Sequence, residues 1–295
     1  MKKQLCWALA PLLIFAAACS SDQAGSAEEP ERGASQSVES DEQNKGEAEE
    51  ITEETETVEE EQSSDKKQEV EKAAAEAAAQ KRYKLNPANW TLQPVDSQDE
   101  SKVVLLTIDD APDQHSLKMA ASLKELGAQA IFFVNGHFID TEEEQKTLKE
   151  IHNMGFSIGN HTMTHPNLKG LSEEQQREEI VGLNDKIESI IGERPKFFRA
   201  PFGSNTEYSK KLAEEEGMLL MNWTYGYDWE KDYQNKKALT DIMVNSPYLT
   251  DGANLLMHDR EWTNEALPDI VAGLRDKGYG IIDPEQIQVP ERAAQ

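Results

Sequence analysis

The sequence predicts an α/β fold, a (β/α) barrel of about seven repeats, on three observations. Apolar, β-branched runs alternate with amphipathic helical stretches from Val103 to Ile282, which implies a parallel sheet with right-handed crossovers. No G-x-G-x-x-G and no P-loop occurs, so the usual phosphate-binding loops of open nucleotide-binding sheets are missing. Polar residues gather just after the strands: Asp109 and Asp110, Asn135 and His137, His161, Arg199, Asp228 and His258. In a (β/α) barrel those strand ends share the rim that carries the active site.

The chain opens with Lys2 and Lys3, an apolar run from Leu5 to Phe15, then Ala16-Ala17-Ala18-Cys19. The run is too short to span a bilayer and has the three parts of a secretory signal. Alanines before a cysteine resemble a bacterial lipobox, with residues 1–18 the signal and Cys19 the lipidated residue. Ala16 replaces the usual larger aliphatic residue. Lipidation is expected over plain cleavage at the same alanines, because an exposed thiol on an exported protein is reactive. Cys6 leaves with the signal, so no internal disulfide and no thiolate metal site are expected.

Residues 19–64 form an acidic Glu/Ser/Thr/Gln/Gly tether without an aromatic residue. It cannot bury enough apolar surface to offset its ordering entropy and is expected to be disordered. Its typical span of roughly 35–40 Å suits holding a domain off a membrane and within a cell wall. Residues 65–98 are a lead-in. Its Ala-rich part, Asp65 to Lys84, has early glutamates and late Lys81, Arg82 and Lys84, which favour a helix. The net charge of −26 argues against nucleic acid as a partner.

The domain is expected over 99–285, with 286–295 a tail. Val103–Ile108 reads as a buried strand. Helix Ser116–Leu126 stops at Gly127, and Ala130–Val134 is the next strand. Helix Glu142–Met154, strand Phe156–Ile158 and a helix from the Ser172/Gln175 capping box to Ile191 follow. Then come strand Phe197–Phe198, helix Thr206–Glu216 and strand Met218–Trp223. The last four elements are helix Lys237–Asn245, strand Asn254–Met257, helix Glu265–Lys277 and strand Gly280–Ile282.

Asp109 and Asp110 end the first of these strands. Neighbours on a strand point to opposite faces, so a shared site requires a bend, which Ala111-Pro112 makes plausible. Buried carboxylates at a strand end need a metal or a cation; a turn or helix-cap aspartate is the plainer reading. His161 and His165 lie four apart and would share one ion if placed on a helical turn. Two histidines and a carboxylate leave an open coordination position, as catalytic zinc sites do. Asp110 can supply that carboxylate and Asp109 can remain a base.

The chain resembles the NodB-type polysaccharide deacetylases, carbohydrate esterase family 4, over Val103 to Asp283. TIDDAP, HTMTHP, RAPFG, YGYDW and LLMHD resemble the family's motifs in order. The resemblance implies a deformed (β/α) barrel. It implies that Asp110, His161 and His165 hold a divalent metal, usually zinc, and that Asp109 is the general base, held by Arg199. His258 is then the general acid, oriented by Asp228, which favours its protonated form. Pro201, Phe202, Trp229 and Leu256 belong to the substrate pocket, with an oxyanion-binding N–H near Phe202. Ala111 replaces the first motif's glycine, Ile108 its aromatic residue, Tyr225 the fourth motif's first aspartate and Phe202 a common tyrosine.

The expected protein is a monomeric, lipid-anchored enzyme on the outer face of the cell membrane. It would deacetylate cell-wall glycan, with peptidoglycan N-acetylglucosamine the first choice. N-acetylmuramic acid, chitin oligomers and O-acetylated xylan are the alternative substrates. A wall-binding lipoprotein with little catalysis is the alternative from another class. Trp223 reads as core or pocket wall, and His115 and His152 as surface. His137 reads as a loop or rim residue. Asp259, Arg260 and Glu261 either touch substrate or pair with one another.

Overall fold

The computed structural model describes residues 80–292. The signal, Cys19, the tether and the Ala-rich stretch through residue 79 lie outside the described residues.

Two short strands, β1 (Tyr83–Leu85) and β2 (Leu92–Pro94), form an antiparallel pair. This corrects the helix expected to run to Lys84. Tyr83 is buried with Leu92 and Ile287, and its carbonyl accepts from the Gln288 amide at 2.8 Å. Helix propensity yields here to tertiary pairing. The same contact shows that the chain beyond residue 286 begins as packed structure, with Ile287 in a core cluster.

The main sheet runs in the order β7-β6-β5-β4-β3-β9-β8, all pairs parallel. Its members are β3 (Val103–Ala111), β4 (Ile131–Val134), β5 (Ser157–Asn160), β6 (Phe197–Phe198), β7 (Leu219–Leu220), β8 (Tyr225–Gly226) and β9 (Ala253–His258). A last strand, β10 (Gly280–Ile281), pairs with the start of β3. The path ends at β7 and β8 without pairing them, so the sheet is a curled, incomplete barrel. The helices are α1 (Ser116–Glu125), α2 (Glu142–Asn153), α3 (Glu173–Ile191), α4 (Glu207–Glu215), α5 (Lys236–Asn245) and α6 (Glu261–Asp276). Capping boxes at Thr141/Glu144 and Ser172/Gln175 start α2 and α3. Gly192, at φ 81°, ends α3 in the left-handed region that glycine adopts without strain.

Strand alternation divides the core. Val104, Leu106 and Ile108 pack outward with helix residues such as Met119, Leu123 and Ile270. Val103 and Leu105 point inward with Ile131, Phe133, Phe197 and Met221. The inward series continues with Thr107 and Asp109, both buried. The barrel interior is therefore apolar below and polar at the carboxyl ends of the strands.

Helix α6 begins at Glu261 rather than Glu265. Trp262 and Thr263 bond Asp228, at 2.8 Å each, which gives its first turn tertiary partners. Strands β2 and β8 are short and carry no periodicity to read.

Candidate active site

Five strand ends deliver the site: Asp109 and Asp110 from β3, His161 after β5, Arg199 after β6, Asp228 after β8 and His258 from β9. The adjacent carboxylates share it because of a bulge. Ile108 pairs with Phe132 and Ala111 with Val134, so three steps on β3 match two on β4. Asp110 takes φ 57°, a left-handed conformation that aspartate tolerates better than most residues. The extra residue re-aims Asp110 after Asp109 has followed the inward series.

The histidine loop is not a helical turn, the arrangement in which the spacing alone would turn both rings to one side. Residues 161–165 are irregular, with Thr162 at φ 72° and His165 at φ 57°. Asn160, fully buried, shapes the loop. Its Oδ1 accepts from the Thr162 amide at 2.9 Å, and its Nδ2 donates to Ile180 O and Asn184 Oδ1. Glu179 on α3 accepts from the Thr164 amide and hydroxyl.

His161 Nδ1 lies 2.7 Å from the Arg199 carbonyl. A carbonyl only accepts, so Nδ1 carries the proton and Nε2 keeps its lone pair free for a metal. One ligand atom from each of Asp110, His161 and His165 lies within 4.8 Å of the others. His165 Nε2 is 3.6 Å from Asp110 Oδ1, close to the roughly 3.4 Å edge of a tetrahedron with bonds of about 2.1 Å. Burial, and then His161, push the His165 pKa down, which favours the neutral ligand form. Burial alone would raise Asp110, but His161, His258, His165 and Arg260 outweigh it and hold its carboxyl below the usual range. A divalent ion fits this donor set.

Arg199 is completely buried beneath Asp109. Its Nη1 donates to Asp109 Oδ1 at 2.6 Å and to the Thr107 hydroxyl at 2.8 Å. Its Nη2 donates to the Asn222 carbonyl and to Asn254 Oδ1. The guanidinium also lies 4.3 Å from the Phe133 ring centroid. These partners hold the guanidinium flat on one side of Asp109, whose other oxygen is 3.6 Å from His161 Nε2.

His258 pairs in register with Asp109 on the adjacent strand. Its Nδ1 donates to Asp228 Oδ1 at 2.7 Å and its amide to Oδ2 at 2.6 Å. The Thr263 hydroxyl donates to the same Oδ2 at 2.8 Å. Burial by itself would depress the His258 pKa, but the Asp228 charge and hydrogen bond outweigh it, and the net is raised.

Asp109, Asp110, His161, His165, Asp228 and His258 line a cavity of about 460 Å³, walled also by Phe202, Trp223, Trp229, Leu256 and Arg260. Phe202 and Trp229 are exposed at the mouth of the cavity. Trp229 stands edge-on to His258, with ring centroids 5.5 Å apart. Gly226 allows this, because a Cβ there would collide with the Leu256 carbonyl and the Trp229 ring. Pro201 is buried and does not line the cavity; it opens the turn that presents Phe202 at φ 59°.

Tyr225 is buried in the core, and its hydroxyl donates to the Met243 carbonyl at 2.7 Å. His137 is exposed, and neither it, His115 nor His152 lines the cavity. Sequence reasoning misses Thr107, Asn160, Asn254 and Thr263, which carry no spacing signal of their own. The position of Thr107 two residues before Asp109 on the inward face is the one available clue. Among the described residues no helix is long and apolar enough to cross a membrane.

A family model described as polysaccharide deacetylase matches residues 96–221. The chain is 31% identical over 182 residues to a peptidoglycan-N-acetylglucosamine deacetylase of Bacillus cereus, covering 59% of this chain and 64% of that one. It is 31% identical to the solved structure of the peptidoglycan deacetylase PdaC from Bacillus subtilis. That match has a TM-score of 0.57 and covers 65% of this chain and 91% of that one. A carbohydrate esterase family 4 pseudoenzyme from Bacillus anthracis matches with a TM-score of 0.56 at 30% identity, covering 62% and 63%. The chain spans 64% and 41% of the first two curated relatives it matches, the Bacillus cereus enzyme and the full PdaC. With its motifs, fold and site in agreement, this chain belongs to the polysaccharide deacetylase family.

Proposed function

We propose that this chain is a metal-dependent hydrolase that removes N-acetyl groups from cell-wall glycan, with peptidoglycan N-acetylglucosamine the substrate. The carrying observation is a pair of charge dyads, Asp109–Arg199 and His258–Asp228, each with its supporting partner fully buried, beside an Asp/His/His cluster in one cavity. Relatives named for glucosamine and for muramic acid deacetylation support the glycan class.

A divalent ion held by Asp110, His161 and His165, with zinc our choice, would supply Lewis acidity to an otherwise poor electrophile, the acetamide. Asp109 takes the proton from the attacking water, and Arg199 keeps its carboxylate aimed into the cavity. His258 delivers a proton to the departing amine, which leaves badly without one. Asp228 presents the proton-bearing ring and stabilises its charged form. Leu256, Trp223 and Trp229 exclude water around the acetyl methyl, which strengthens each charge interaction. Export and anchoring through Cys19 belong to the same proposal and place the enzyme beside its substrate.

The similarity to a pseudoenzyme favours a second reading, a wall-binding protein without turnover. Acetate release by the purified protein from peptidoglycan and from N-acetylglucosamine oligomers, with zinc and with chelator, separates the two. Release that disappears with chelator and in His161→Ala supports the enzyme. No release by folded, zinc-loaded protein leaves the binder.

A further inference from the structure

Arg260 takes no part in the chemistry above, yet its guanidinium lines the cavity. One terminal nitrogen donates to Asp110 Oδ2 at 2.9 Å, and the other to the Asp259 carbonyl at 2.9 Å. The remaining Asp110 oxygen, Oδ1, is the one 3.6 Å from His165 Nε2. The two oxygens of this carboxylate therefore face different partners. Among the described residues no other donor bonds the Asp110 side chain.

Arg260 is itself held from both sides. The Asp259 carboxylate accepts from the His115 amide and from the Ser116 amide and hydroxyl at the start of α1, at 2.7, 2.7 and 2.6 Å. After Arg260, Trp262 and Thr263 bond Asp228. A planar guanidinium anchored this way can fix a carboxylate plane, which a flexible ammonium cannot do as well. Asp110 needs such a fix, because it sits on a bulge at φ 57° where no regular ladder sets its side chain.

We propose that Arg260 is a positioning residue for the metal ligand Asp110: it occupies Oδ2, leaves Oδ1 alone to face the ion, and so makes this ligand monodentate. The proposal rests on the metal-site reading above. Groups that hydrogen-bond a ligating carboxylate tune metal affinity by about 10–100-fold. A rim ion pair with no such role contributes little.

The test is zinc affinity rather than turnover. The full chain, stripped of metal by chelator, is titrated with zinc against a chromophoric competitor. Arg260→Ala is expected to weaken zinc binding about tenfold or more. In an Asp110→Ala background the same change is expected to cause no further loss, because its route is through Asp110. Zinc affinity that is unchanged or tighter in Arg260→Ala overturns the proposal, as does an equal loss in both backgrounds. Arg260→Lys, which keeps the charge without the fork, is read in the same way should Arg260→Ala not fold. A wild-type chain that binds no zinc overturns the metal-site reading and this proposal together. Wild-type binding with an indifferent Arg260 overturns this proposal alone.

Discussion

Asp228→Asn replaces a buried carboxylate by an amide of the same shape. The carboxylate accepts from His258 Nδ1, the His258 amide and the Thr263 hydroxyl at 2.7, 2.6 and 2.8 Å. It raises the His258 pKa against the opposing effect of burial. The unfolded chain has a histidine pKa of about 6.5. The pair therefore contributes its full stability below about pH 6.5 and loses it as pH rises through the raised folded value. A hydrogen bond to a charged group contributes about 1.5–3 kcal/mol. Asp228→Asn should thus cost about 2 kcal/mol more near pH 5.5 than near pH 9, read from urea unfolding at both. The amide cannot support an imidazolium, so turnover should fall about 10²-fold or more and its alkaline limb should move to lower pH. An equal unfolding cost at both pH values, or an alkaline limb that stays in place, refutes this account of Asp228.

Asp109→Asn should lower acetate release about 10²-fold while zinc binding, measured by competition, stays within a few-fold of wild type. Ala111→Gly should bring no gain in turnover and cost about 1 kcal/mol in urea unfolding, since Ala111 is buried and the left-handed turn belongs to Asp110. Tyr225→Phe should cost about 1 kcal/mol of stability, by loss of the Met243 bond, with kcat unchanged.

The alternation of strands and helices is legible because period-2 and period-3.6 patterns are local. Val103–Ile108 and the Ser172/Gln175 helix appear close to where the sequence places them. What fails is set by partners distant in sequence. Tyr83–Leu85 is strand because Ile287 and Leu92 complete its environment. Strand β8 has two residues and owes its existence to β9. In the site, Asp109 and Asp110 are legible because carboxylates at the end of a buried strand demand compensation, whereas Arg199, Asp228 and His258 are legible through the family motifs they stand in. Their supports are not, since Asn254, Thr107 and Thr263 look like ordinary polar residues until Arg199 and Asp228 are seen against them. The two histidines show the limit of spacing: four apart would align them on a helical turn, but an Asn160-shaped loop brings them together instead.

The departures from the family motifs divide by what their side chains touch. Ala111 and Ile108 face the core, and Tyr225 satisfies its hydroxyl on Met243 inside it; none reaches the cavity. Phe202 does reach it, exposed and edge-on to His165 at 4.9 Å between ring centroids. Its ring offers contact area and no hydrogen bond, so under the proposed function this substitution bears on how glycan is gripped rather than on proton transfer. In the proposed reaction, proton transfer falls to Asp109 and His258, which stand at one register on adjacent strands, each backed by a buried group of opposite charge. Burying Asp109, Arg199 and Asp228 costs several kcal/mol of desolvation per ion, and packing alone gives no reason for them. Their presence beside an Asp/His/His cluster is the physical ground for favouring turnover over mere binding.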